Sequence, residues 1–330
     1  MRVLAVAASY PLRLSGGTCL PPYVLREAES LRDRGIQVDT LAIDGLGSRF
    51  NYVKAMYHLR KRLSQQQYDL IHGYYVYCGM VARSQWELPV IVSYLGSDVL
   101  RGRLEPSLSR LLARMADAVI VVSQEMKSVL GAKDAFVIPT GIDLNRFRPV
   151  PMGEARERLG LDGQKRLVLF LHSDRPVKRF DLAQLAFGVL QKRDTQAELL
   201  VVDNKPPEVI PLYMNACDVI LLTSDSEGSP NVIKEAMACN LPIVSVPVGD
   251  VAQVVGNTRG CYLCSRDPAD IADKVELALS FNGRTEGRAS VEHLSLDRIA
   301  DRIVEVYRQA MDTDFHRAPI PADPASGNRR

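Results

Sequence analysis

Long apolar runs are missing from this chain. The richest, Ala118–Val122, Val168–Leu171 and Val219–Leu222, have the length of buried strands, far short of the roughly 18 consecutive apolar residues a membrane-spanning helix requires. No secretory leader is legible either. The apolar start at Met1–Ala5 reaches Tyr10-Pro11 too early for a leader's hydrophobic stretch. It reads as a first strand, and a cytoplasmic protein is expected. The six cysteines, Cys19, Cys78, Cys217, Cys239, Cys261 and Cys264, are scattered. Cys261-Tyr-Leu-Cys264 has no second pair and no nearby histidine, and it sits in a strand-like run, which argues against a metal or redox centre. No zinc-finger or RNP-type signature is present, so nucleic acid is not an expected partner. The loop Ser9–Gly17 contains no GxGxxG, which counts against a dinucleotide site.

What is present is an ordinary globular composition, 46% hydrophobic and 24% charged, over 330 residues. That length suits two domains. The formal net charge of +2 conceals an asymmetry. Residues 1–150 hold 19 Lys and Arg against 13 Asp and Glu, a net of +6; the remainder holds 22 against 26, a net of −4. The basic residues gather at Lys54–Arg62 and Arg101–Arg114, interleaved with Leu and Met. They read either as two solvated helix faces or as a surface for an acidic partner, an anionic membrane ranking ahead of nucleic acid.

Strand-like and helix-like segments alternate throughout, the pattern of parallel sheets with crossover helices. Strands are expected at Val3–Ala8, Val38–Ile43, Leu70–His72, Val90–Tyr94, Ala118–Val122 and Ala135–Ile138. Helices are expected at Pro21–Arg34 and Asn51–Ser64. Pro139–Pro149 breaks the pattern with two prolines and a glycine, and the expected domain boundary falls there. The alternation restarts with strands at Leu167–Leu171, Glu198–Val202, Val219–Leu222 and Pro242–Val246. Helices are expected at Asp181–Gln191, Glu208–Ala216, Pro230–Ala238, Pro268–Leu279 and Ser295–Met311. From Thr313 the Pro/Ala/Asp/Arg-rich tail reads as disordered. The fold class is α/β, two tandem doubly wound domains facing a cleft, with ligands outside the strand carboxyl ends.

The densest chemical signal is Ser224–Cys239. Ser229 is expected as an N-cap and Pro230 as the first helical residue, giving a helix N-terminus suited to an anion such as a diphosphate. Glu227 precedes that helix and Glu235 lies within it. Carboxylates beside an anion site fit hydroxyl groups of a sugar or ribose; otherwise they are surface glutamates on a capped core helix.

Glu227 and Glu235 are separated by seven residues, and here the chain resembles the retaining glycosyltransferases of family four, with their E-x7-E motif and GT-B fold of two Rossmann-like domains. Ser15-Gly16-Gly17, Tyr68–His72, Gly96-Ser-Asp98, Val121-Val-Ser123, Ile138–Asp143 and Glu235–Val244 resemble the family's ordered segments over about 300 residues. The resemblance implies an acceptor-side domain over residues 1–145, a nucleotide-sugar domain over 146–295, and a helix over 296–312 crossing back onto the first domain. It implies that Glu227 binds donor-sugar hydroxyls and Glu235 the ribose. Gly228, Ser229, Pro230 and Asn231 shape the cradle between sugar and diphosphate. Lys178 and Arg175 face the departing diphosphate, cations able to replace a metal. Gly16 and Gly17 approach the donor phosphate or acceptor closely. No metal and no cofactor are implied, the only Asp-x-Asp being Asp312-Thr-Asp314. The implied partners are a nucleotide sugar, UDP- or GDP-linked, and a glycan or lipid-linked acceptor. Peripheral contact with an anionic membrane on its cytoplasmic side is expected from charge alone.

Three positions depart from the family. Leu95 stands where many members have histidine, Val202–Pro211 is too short for a usual strand–helix unit, and Thr140 replaces a usual asparagine. Asp98 either orients the site or caps a helix. His72 reads as a structural strand-end histidine, and His172 as a strand-end residue facing the cleft. Two other function classes remain: a nucleotide-sugar isomerase of the same fold, and a non-catalytic nucleotide-sugar-binding scaffold.

Overall fold

The computed structural model describes residues 1–11, 18–45, 48, 50–102 and 104–312. Gly16, Gly17 and the tail from Thr313 lie outside the described residues.

The first sheet contains β1 (Arg2–Pro11), β2 (Thr18–Cys19), β3 (Gln37–Asp44), β4 (Leu70–Tyr74), β5 (Val90–Tyr94), β6 (Ala118–Val121) and β7 (Phe136–Val137). Six strands run parallel in the order β3-β1-β4-β5-β6-β7, and β2 pairs antiparallel with the end of β1. Every residue of β4 and β5 is buried, because crossover helices cover both faces of a parallel sheet. The second sheet contains β8 (Arg166–Leu171), β9 (Ala197–Val202), β10 (Val219–Leu222), β11 (Ile243–Ser245) and β12 (Cys261–Leu263), all parallel in the order β9-β8-β10-β11-β12. After β9 the chain makes only the 3-10 turn Pro207–Val209 before helix Ile210–Ala216, so the shortened segment yields a five-stranded sheet.

Strand order reverses between β1 and β4 in one sheet and between β8 and β10 in the other. Crevices form outside the carboxyl ends at such reversals. The four segments that matter therefore follow β1, β4, β8 and β10.

One apolar core spans both units, running from Val3, Leu70 and Ile91 through Ile138, Ile142 and Phe147 to Leu169 and Ile243. The linker is held at several points. Ile142 bridges Ser295, Thr140 Oγ1 donates to Asn231 Oδ1 at 2.5 Å, and the buried Lys234 Nζ donates to Thr140 O at 3.2 Å. Helix Leu296–Met311 buries Ile299, Ile303, Val306 and Tyr307 and packs on helix Pro22–Arg32. There Arg34 meets Asp297 at 3.2 Å and Asp301 at 2.5 Å.

Candidate active site

A cleft of about 810 Å³ lies between the two sheets, lined by residues that follow β4 and β5 on one side and β8 and β10 on the other. This is within the usual range for a small-molecule site. The two units approach closely at Gly228. A Cβ on Gly228 would stand 2.6 Å from Leu95 O and 3.0 Å from Gly96 Cα, and Gly96 itself holds φ +145. Only glycine allows these two backbones to approach so closely.

Asp98 holds the Leu95–Gly96 loop from behind. It is completely buried and accepts from Leu95 N at 3.1 Å and Gly96 N at 2.9 Å. Burial pushes its carboxyl up to about 6, against the pull of those N–H groups. Asp98 is thus a loop-positioning group and not part of the cleft wall. Leu95 lines the cleft.

The segments after β8 and β10 are joined to each other. Thr223 Oγ1 donates to Lys178 O at 3.0 Å and Arg179 O at 2.9 Å, and Asp225 N donates to Val177 O at 2.9 Å. This brings Lys178 Nζ to 2.6 Å from Glu227 Oε1, with both side chains mostly buried, 16% and 17% exposed. Arg175 is exposed on the cleft wall and makes no side-chain hydrogen bond or ion pair among the described residues. Arg179 is committed elsewhere, to Asp181 and Asp225.

One expectation is corrected. Helix Asn231–Ala238 begins one residue later than expected, with Pro230 at the N-cap and no side-chain cap. Ser229 does not cap it: its hydroxyl donates to Asp250 Oδ2 at 2.5 Å. The physical reason is the segment after β11, where Gly249 lies against the backbone of Glu227 and Gly228 and brings Asp250 within reach. Among the described residues, no side chain caps the N-terminal N–H groups of the helix, as an anion site requires.

A second cavity, of about 300 Å³, opens beside that helix. Glu235, Asn231, Arg146, Arg26, Leu171 and Ile210 are among its lining residues. Burial pushes the Glu235 carboxyl up to about 7, while Arg26, Arg146 and Lys234 pull the other way. Arg146 Nε and Nη2 are shielded from solvent without a hydrogen-bond partner among the described residues, two donors suited to an acceptor-bearing ligand. Between the ordinary 4.5 and about 7, folded Glu235 keeps a proton that the unfolded chain has lost. The folded state then binds more protons, so this group subtracts stability as pH rises through that window. In ligand-free protein, the melting temperature of Glu235→Gln relative to wild type should therefore rise between pH 4.5 and 7. Thermal melts across that range check it; a constant difference would contradict the assignment.

His72 is fully buried, with Nδ1 2.7 Å from Tyr307 Oη and Nε2 2.8 Å from Ser93 Oγ. Burial pulls it down to about 3, which fits a structural imidazole and not a base at neutral pH. His172, Asp174 and Asp203 bring three ligand-type atoms within 4.8 Å of one another after β8 and β9. Asp174 is exposed.

Sequence reasoning missed Arg26 and Arg146, which carry no motif. It also missed the tyrosines of the cleft, although Tyr74-Tyr75-Val76-Tyr77 is a visible cluster at a strand's carboxyl end.

Two facing parallel α/β units around such a cleft define the GT-B glycosyltransferase architecture. Family profiles match in both: Glycosyltransferase Family 4 over residues 22–146 and Glycosyl transferases group 1 over residues 190–280. The chain thus carries two glycosyltransferase domain profiles on a GT-B fold. It is 26% identical over 306 residues to the D-inositol 3-phosphate glycosyltransferase of Actinosynnema mirum, covering 74% of this chain and 73% of that protein. The fold is shared with sucrose-phosphate synthase of Thermosynechococcus elongatus, with a TM-score of 0.73, 19% identity and coverage of 93% and 98%. It is shared too with Anabaena Alr3699/HepE in complex with UDP and glucose, with a TM-score of 0.69, 19% identity and coverage of 93% and 99%.

Proposed function

We propose that this glycosyltransferase moves a hexosyl unit from a nucleotide diphosphate sugar to a hydroxyl acceptor on a glycan or lipid-linked glycan, with retention and without a metal. The observation that carries this reading is the pairing of Lys178 with Glu227, which lines the cleft together with Arg175, while Asn231 at the uncapped start of helix Asn231–Ala238 and Glu235 line an adjoining cavity. The diphosphate would lie against the helix N-terminus, Lys178 and Arg175. Glu227 would accept from sugar hydroxyls, and Glu235 with Arg146 would hold the ribose side. The bond from the anomeric carbon to the β-phosphate oxygen breaks as the acceptor oxygen bonds that carbon on the same face. The acceptor proton passes to the leaving phosphate, and Lys178 and Arg175 stabilise the charge it gathers. The UDP named with the Anabaena neighbour supports a uridine donor by analogy. Residues 1–145, 146–295 and 296–312 are proposed as the acceptor-side unit, the donor unit and the returning helix.

Calorimetry of UDP, GDP and ADP with EDTA present tests the donor reading. One nucleoside diphosphate should bind to wild type and bind more weakly to Glu235→Ala; binding of none would overturn it.

The membrane contact rests on helix Phe50–Gln65, where Phe50, Val53 and Tyr57 are 77%, 61% and 68% exposed. At the helical spacing they share a face with Lys54 and Lys61. No described helix is long and apolar enough to cross a membrane, so the contact would be peripheral. Co-sedimentation with phosphatidylglycerol vesicles should fall steeply with salt and vanish in Phe50→Ser/Tyr57→Ser. Vesicle binding unaffected by either change would remove this contact.

A further inference from the structure

On the first-sheet side, the cleft wall is largely aromatic. Tyr23, Tyr52, Tyr74, Tyr75 and Tyr77 all line it, opposite Arg175, Glu227 and Gly228. Tyr52 and Tyr77 have ring centroids 5.3 Å apart and inclined by 44°; Tyr75 and Tyr77 are 5.9 Å apart at 50°. Tyr52, Tyr77 and Tyr75 therefore form one chain of neighbouring rings. The wall's hydroxyls are engaged by neighbouring protein groups: Tyr77 Oη donates to Glu105 Oε1 at 2.9 Å, Tyr74 Oη donates to Glu27, and Tyr75 bonds with Ser97. The polar groups at its margin are Ser9, Ser97 and Arg101.

Tyr75 is held at φ +77, immediately after β4 and at the strand-order reversal. With ψ 154, this is a backbone conformation that residues other than glycine rarely adopt. Such strain collects at ligand sites, where the surroundings over-determine it. The strain here keeps the Tyr75 ring on the cleft wall next to Tyr77.

We propose that Tyr52, Tyr75 and Tyr77 form the acceptor subsite and that it takes a pyranose ring, so the acceptor presents a saccharide to the cleft and not a bare lipid phosphate or a simple alcohol. This rests on the transferase reading above. A pyranose has one face of C–H groups, which are attracted by the negative face of an aromatic ring, and an edge of hydroxyls for Ser9, Ser97 and Arg101. Among the described residues, a phosphate would find one cation on this wall, Arg101. In the donor reading above, the ribose side of the nucleotide lies in the second cavity, beside Glu235.

Saturation-transfer NMR with methyl glucoside, galactoside, mannoside and N-acetylglucosaminide, run with and without UDP or GDP, tests the subsite. At least one pyranoside should receive saturation on its C–H face. Tyr75→Ala and Tyr77→Ala should weaken that binding by about tenfold or more, the scale of one lost aromatic stack. Tyr75→Phe and Tyr77→Phe should retain it, which separates stacking from misfolding. Nucleoside diphosphate affinity should be unchanged in all four variants. No saturation of any pyranoside would overturn the proposal, as would equal weakening of nucleotide and pyranoside. Failure of nucleotide binding alone would instead sink the donor reading and leave the saccharide subsite standing.

Discussion

Lys178→Ala should lower kcat by about 10²-fold or more, the effect of removing a preorganised charge-stabilising group. Two consequences combine. The diphosphate loses the cation that meets the charge developing as the glycosidic bond breaks. Glu227, now 2.6 Å from Lys178 Nζ and mostly buried, is left as an unpaired carboxylate in the same cleft, where it repels the diphosphate. Lys178→Arg should recover only part of the rate, since a planar fork cannot reproduce a point charge on a short 3-10 turn. Steady-state kinetics with the identified donor checks this. A wild-type kcat in Lys178→Ala would remove Lys178 from the site.

Gly228→Ala should lower kcat/KM by a comparable factor, for a steric reason. The added methyl would meet Leu95 O at 2.6 Å and Gly96 Cα at 3.0 Å. Both are backbone atoms, and the carbonyl-side loop is held by Asp98, so no flexible side chain can yield. The two walls must separate, and a displacement near 1 Å at reacting groups is worth about 10²-fold. Gly188→Ala is the matched control, because nothing lies within 4 Å of its added Cβ. It should leave kinetics unchanged. Equal kinetics for the two variants would show that the close approach at Gly228 does not govern the cleft.

The sheet architecture was legible in the sequence because buried parallel strands announce themselves as short apolar runs. Val90–Tyr94 and Val219–Leu222 fall on the expected residues, and the shortened stretch after Val202 does correspond to a small second sheet. Pairs of residues near in sequence, Glu227 with Glu235 and Arg175 with Lys178, could be singled out from spacing and family resemblance. What could not be read were contacts made across the fold. Ser229 looks like a cap until the segment carrying Asp250 takes its hydroxyl. Asp98 looks like a ligand until its burial behind Leu95 and Gly96 is known. Arg26 and Arg146 are 120 positions apart in numbering and meet Glu235 only when linker and first unit close over the second cavity. The tyrosine cluster was visible but carried no spacing rule, since aromatic stacking depends on where β4 ends and not on periodicity.

The central claim is acceptor-dependent transfer from a nucleotide sugar. The direct measurement is mass spectrometry of purified protein incubated with UDP-, GDP- and ADP-sugars, with and without saccharide and membrane-lipid glycan acceptors. The account predicts release of one nucleoside diphosphate only when an acceptor is present, matched by a hexose mass gained by that acceptor. Conversion of the donor into an isomer without acceptor, or nucleotide binding with no mass gain in any mixture, would contradict it.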